Sequence, residues 1–175
     1  MFWSRWTRGA RAPVEAGRAL YAQAAAQARQ PEFYAALRAP DTANGRFELY
    51  SLHIILLLHR LKDRGEEAAE ASQALFDTYI SALDAALREQ GVGDLSMSKS
   101  MRRLGEAFYG RVRSYDAALA APAELEALIA RTIYGGDAAP APLLADYVRR
   151  CVEGLAEQPD ATILRGTVAW PAVRA

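Results

Sequence analysis

Between Phe47 and Leu61 the chain carries apolar side chains at nearly every angle around a helical circumference. That run constrains the fold more than any other stretch. A surface helix is oily along one stripe, whereas a helix that is oily all round has to be enclosed by neighbours. The run falls well short of the ~20 apolar residues needed to cross a bilayer, and His53, His59 and Arg60 interrupt it. It reads as the buried centre of a helical assembly.

The rest of the chain supplies the enclosure. Glu15 to Gln30 is rich in Ala, Gln and Arg, strong helix formers, and Pro31 ends it. Glu32 to Arg38 makes a short helical turn presenting Phe33, Tyr34 and Leu37, and Pro40 to Gly45 is a cluster of turn-forming residues. From Glu66 to Gln90, Leu75, Phe76, Tyr79, Ile80, Leu83 and Leu87 form a stripe at helical spacing. A further helix is predicted from Asp94 to near Ala120. Pro122 opens another through Leu125, Leu128, Ile129 and Ile133, and Pro140 to Glu157 is the last. Ala161 to Trp170, with β-branched Ile163, Thr167 and Val168, is predicted to lie extended, with Trp170 filling a gap. No long segment alternates as a half-buried strand does. The expectation is an all-α, single-domain bundle of about six helices around a central buried helix. It spans 15–175, with a short extended C-terminal tail, after a flexible basic and aromatic N-terminus at 1–14.

A chain of 175 residues can bury a full core without disulfides or metals. Its 21 basic residues balance 21 acidic ones, so no global field draws it to nucleic acid or an anionic membrane, and any electrostatic partner has to meet a local patch. The lone Cys151 has no partner for a disulfide and reads as a small core residue. The opening MFWSRWTRGARAP lacks an uninterrupted apolar stretch of the secretory kind, so the protein is expected to stay where it is made, in the cytoplasm. Trp3, Arg5, Trp6 and Arg8 are candidates for membrane contact, since Trp and Arg favour the headgroup zone. A frayed terminus or an organellar presequence is the alternative.

The search for catalytic or metal chemistry finds little. His53 and His59 stand six residues apart, about 120° off around a helix, and cannot share a ligand as an i, i+4 pair does. Each reads as a hydrogen-bonded core residue, and neither a metal nor a cofactor is expected. Asp77 and Asp84 share one side of their helix, which leaves open a small metal-dependent helical enzyme, although two isolated carboxylates do not surround a hard cation. Ser96, Ser98 and Ser100 around Lys99 are ordinary helix-start residues before they are nucleophiles.

What stands out is Gly91 to Arg113. Gly91 suits the left-handed residue that ends one helix, and Asp94, Ser96 or Ser98 can cap the next. In the second helix Met101, Leu104, Phe108, Val112, Tyr115 and Leu119 form the inward stripe, and Lys99, Arg102, Arg103 and Arg113 lie opposite. Tyr109 lies about 80° from the stripe's centre, where it faces either a partner or the edge of the core. Such a face reads either as a solvated helix surface paired with acids such as Glu106 or as a docking surface, and nucleic-acid binding through the same cations is a further reading.

The runs GVGDL, EAFYGR and YDAAL, with LYAQAAAQARQPEFY, PDTANGRFELYSLH and QALFDTYISALDAALRE in order before them, resemble the ubiquinol-cytochrome c chaperone family. The resemblance covers roughly Leu20 to Trp170. It implies a non-enzymatic assembly factor for respiratory complex III that holds newly made cytochrome b, with the ribosome or a small cochaperone as further partners, at or near the inner face of the membrane. The expected partner-binding residues are Lys99, Arg102, Arg103, Tyr109, Arg111 and Arg113. The loop residues Asp41, Asn44 and Arg46 form a second candidate, with helix capping by Asp41 and Asn44 and helix bridging by Arg46 and Glu48 as the structural alternative.

Overall fold

The computed structural model describes residues 11–174, apart from the side chains of Asp94 and Leu95. They form α1 (Ala12–Ala28), α2 (Glu32–Ala35), α3 (Ala43–Leu61), α4 (Glu66–Glu89), α5 (Asp94–Ala118), α6 (Pro122–Thr132), α7 (Ala141–Glu157) and α8 (Asp160–Ile163). Six helices are long, two are single turns, and no strand occurs among the described residues. The all-α bundle read from the apolar periodicity is the observed fold.

The central helix starts earlier than its apolar run. Thr42 is extended and its side chain accepts the Gly45 N–H at 3.1 Å, an N-cap that turns Ala43, Asn44 and Gly45 into the first helical turn. Asp41 does not cap. Leu49, Leu52, Ile54, Ile55, Leu56 and Leu57 are all buried, as an enclosed helix requires. Its buried polar side chains are each met by a neighbour. Ser51 Oγ lies 2.7 Å from the Tyr79 hydroxyl of α4. His53 Nδ1 lies 2.7 Å from the Leu49 carbonyl and Nε2 lies 2.9 Å from the Tyr147 hydroxyl of α7. A carbonyl only accepts, so Nδ1 carries the proton and Nε2 takes the tyrosine's. Arg60 donates to the Leu155 and Gln158 carbonyls, both at 2.6 Å, and to Asp160. The Leu155 carbonyl also takes the Gln158 N–H, so Arg60 adds a second donor there and reaches the Gln158 carbonyl just past the end of α7.

Around α3, helix α1 lies against α4 at close range. A Cβ built on Gly17 would meet the Ala71 carbonyl oxygen at 2.5 Å and Ala74 Cβ at 2.7 Å, so only glycine permits this approach. Between α4 and α5 the left-handed Gly91 (φ 80) ends α4. Its N–H bonds to the Arg88 carbonyl and that of Val92 to the Leu87 carbonyl, the paired closure expected of a glycine one residue past the cap.

The C-terminal segment departs from the extended tail expected over Ala161 to Trp170. It first makes the single-turn α8, and only from Thr167 does it run without helix. Two glutamine side chains then hold it as a neighbouring strand would. Gln23 bonds to Gly166 O and Val168 N, and Gln158 bonds to Ala169 N and O. Trp170 does reach the core, edge-on to His53 with ring centroids 5.2 Å apart.

Two outcomes are predicted. Gly17→Ala should lower unfolding free energy by about 1–3 kcal/mol in urea titration through overpacking, against alanine's better helix propensity. Burial pushes His53 down from 6.5 to about 4. Between those values the unfolded chain binds a proton that the folded chain refuses, so the stability is fully present above pH 6.5 and lost as pH falls toward 4. The loss should be roughly 3 kcal/mol, and His53→Phe should flatten that part of the stability–pH curve.

Candidate functional site

Helix α5 spans 25 residues, and its two sides have different fates. Phe108 and Tyr115 are buried, with Val112 and Leu119 half-buried behind the same stripe. On the other side Lys99, Arg102, Arg103 and Arg113 are all exposed. None of the four forms an ion pair among the described residues, whereas Arg46, Arg60, Lys62, Arg88, Arg111 and Arg150 each hold a carboxylate. Glu106 shares their arc. The face carries four cations against one carboxylate.

Arg111 belongs elsewhere. At 100° per residue it falls about 120° from Lys99, on the flank of the inward stripe. There its Nε and Nη2 donate to Glu48 of α3 at 2.9 and 2.8 Å. The Glu48 side chain is only 5% exposed and that of Arg111 29%, so this is a largely desolvated two-bond pair that fastens α5 to the central helix. The hydrogen bonds Arg111 donates to Glu48 hold the guanidinium's proton still more firmly than usual. Of the six expected partner-binding residues, Arg111 is therefore engaged inside the fold.

Tyr109 faces outward and is 57% exposed. Its ring centroid lies 5.6 Å from that of Phe76 on α4, Phe76 lies 5.6 Å from Phe108, and Phe108 lies 5.0 Å from Tyr79. A continuous aromatic stack thus runs from solvent to the core, where the Tyr79 hydroxyl meets Ser51. Phe76 reads from sequence only as part of a buried stripe, and it is half-buried instead, supporting Tyr109 from below.

In the second candidate region Arg46 Nε donates to Asp41 at 2.7 Å, with both side chains more than half exposed, and Asn44 is exposed in the first turn of α3. Close by is a cluster that the sequence does not disclose, because three separate elements build it. Arg29 sits 5.4 Å above the Tyr50 ring, and half-buried Tyr21 and Tyr34 lie close enough to Tyr50 to raise its neighbours' hydroxyl pKa values, with burial the larger cause. Trp3, Arg5, Trp6 and Arg8 lie outside the described residues.

The arrangement expected of a metal-dependent enzyme is not assembled by Asp77 and Asp84. Asp77 accepts from Gln73 at 2.7 Å and lines an open groove of about 530 Å3 between α1 and α4 with Arg18 and Glu70. Asp84 is outside that groove, bonded to Arg88 at 2.8 Å. Among the described residues no three His, Cys, Asp or Glu side chains converge as metal ligands would. His59 bonds to Asp116 at 3.2 Å, apart from His53, and burial pushes the Cys151 thiol up to about 12, which keeps it protonated and unreactive.

Residues 35–170 match the model of the ubiquinol-cytochrome C chaperone family. The chain belongs to that family. It is 26% identical over 144 residues to ubiquinol-cytochrome-c reductase complex assembly factor 1 of Xenopus laevis, covering 79% of this chain and 72% of the frog protein. The mouse and human proteins of that name match at the same identity, and there the chain spans about half of their length, 49% and 48%. A crystal structure of the Cbp3 homolog from Brucella abortus superposes with a TM-score of 0.90 at 34% identity, over 99% of this chain and 98% of that one. No described helix is long and apolar enough to cross a membrane.

Arg111→Ala should strand the Glu48 carboxylate and destabilise the fold by about 3 kcal/mol in chemical denaturation. Arg113→Ala, two residues on, should change stability by less than about 0.5 kcal/mol.

Proposed function

We propose that this protein is a non-enzymatic assembly chaperone for the ubiquinol-cytochrome c reductase that holds newly made cytochrome b through the outer face of α5. Family membership supports the assembly role, and the assembly-factor relatives carry the reductase in their names. The observation that carries the docking reading is the set Lys99, Arg102, Arg103 and Arg113, exposed and without carboxylate partners among the described residues. These four are left to solvent, with an exposed aromatic beside them. Such chemistry suits a partner that brings negative charge and apolar surface together. Holding a client needs no proton transfer and no bound cofactor. It needs a surface that a folding membrane protein can leave again, and screened surface charges give such reversibility.

The work would be done at the inner face of the membrane where cytochrome b emerges, with the protein in peripheral contact. Converting Arg102, Arg103 and Arg113 together to Glu should leave helical content and melting temperature near wild type, since none of the three is buried or paired. Mature reductase and accumulated cytochrome b should fall severely in cells carrying only that variant. Normal cytochrome b levels in such cells would remove α5's face from the account while leaving family membership intact.

A further inference from the structure

We propose that the recognition centre of this surface is a two-helix ledge, Tyr109 of α5 on Phe76 of α4 with Ile80 beside it. The ligand it takes is an apolar helical segment bearing a carboxylate. This rests on the docking reading of α5 and narrows it to a ligand class and to an anchor.

Exposed aromatics are usually mobile and isolated, and Tyr109 is neither. Its ring has Phe76 within 5.6 Å and Phe108 within 6.3 Å. Phe76 packs on Phe108, and Phe108 packs in turn on Tyr79, which is 1% exposed and bonded to Ser51. A side chain held in place before binding loses little conformational freedom when a partner covers it, the property that makes tyrosine an effective interface anchor. Ile80 stands one helical turn beyond Phe76 on the same face of α4 and is half-buried, extending the apolar strip along that helix.

Charge sets the occupant. Counting around α5, Arg102 and Arg113 fall within about 40° of Tyr109, and both are exposed without an ion pair among the described residues. An aromatic centre with guanidinium groups at its rim meets a ligand whose apolar face covers the ring and whose carboxylate reaches the arginines.

The test uses the full chain and two fluorescent 20-residue helical peptides of Leu and Ala, one carrying two Glu and the other two Lys, with oligouridine as competitor. The Glu peptide should bind, and Tyr109→Ala should weaken it by about tenfold or more. Tyr109→Phe, which keeps the ring, should bind within about twofold of wild type. Tyr109 is mostly exposed, so circular dichroism should show both variants folded. Binding lost in the Arg102/Arg103/Arg113 charge reversal but unchanged in Tyr109→Ala would overturn the ledge and leave the cationic docking face standing. Equal binding of the Lys peptide, no binding of the Glu peptide, or displacement by oligouridine would overturn the proposed ligand class.

Discussion

Everything in this fold answers to the enclosure of α3. A helix surrounded on all sides cannot turn its polar side chains to water, and an unpaired buried polar group costs on the order of 1–3 kcal/mol. Each buried polar residue on α3 therefore requires a partner from the element it happens to face. Ser51 recruits Tyr79 of α4, His53 recruits Tyr147 of α7, Glu48 recruits Arg111 of α5, and Arg60 reaches the end of α7 and Asp160. These bonds add less to stability than the burial of Leu49, Leu52, Ile54 and Leu57 does. They act instead on register, because a slipped neighbour would leave a buried donor or acceptor unmet.

That division of labour explains how α5 can be both a structural and a presenting helix. Its inward stripe and Arg111 are committed to α3 and α4, and the commitment fixes the rotation of the whole helix. Lys99, Arg102, Arg103 and Arg113 are then directed away from every other element by geometry alone. The same rotation sets Tyr109 over Phe76. A surface built this way combines a packed helix with long exposed side chains, which suits the client proposed above.

Much of this could be read from sequence where local rules decide. The all-round apolarity of Phe47 to Leu61 marked the central helix, Gly91 marked the end of α4, and the isolation of Asp77 and Asp84 from other carboxylates already argued against a shared cation. What escaped depended on distant residues. Arg111 looks like a member of the cationic set until its angle is counted, and its partner Glu48 is 63 positions away. Thr42 outcompetes Asp41 as the cap because Arg46 draws the aspartate aside. The single turn of α8 forms where Arg60 and Arg64 gather Asp160, a tertiary cause invisible in the β-branched residues that follow it. The tyrosine cluster of α1, α2 and α3 exists only once those elements are brought together.

The most direct test of the account is a photo-crosslinking side chain placed in turn at Arg103, Arg113 and Arg29 in living cells, with adducts probed by antibody to cytochrome b. The account predicts adducts from Arg103 and Arg113 and none from Arg29, which lies on α1 beside Tyr50. Adducts formed from Arg29 alone would contradict it.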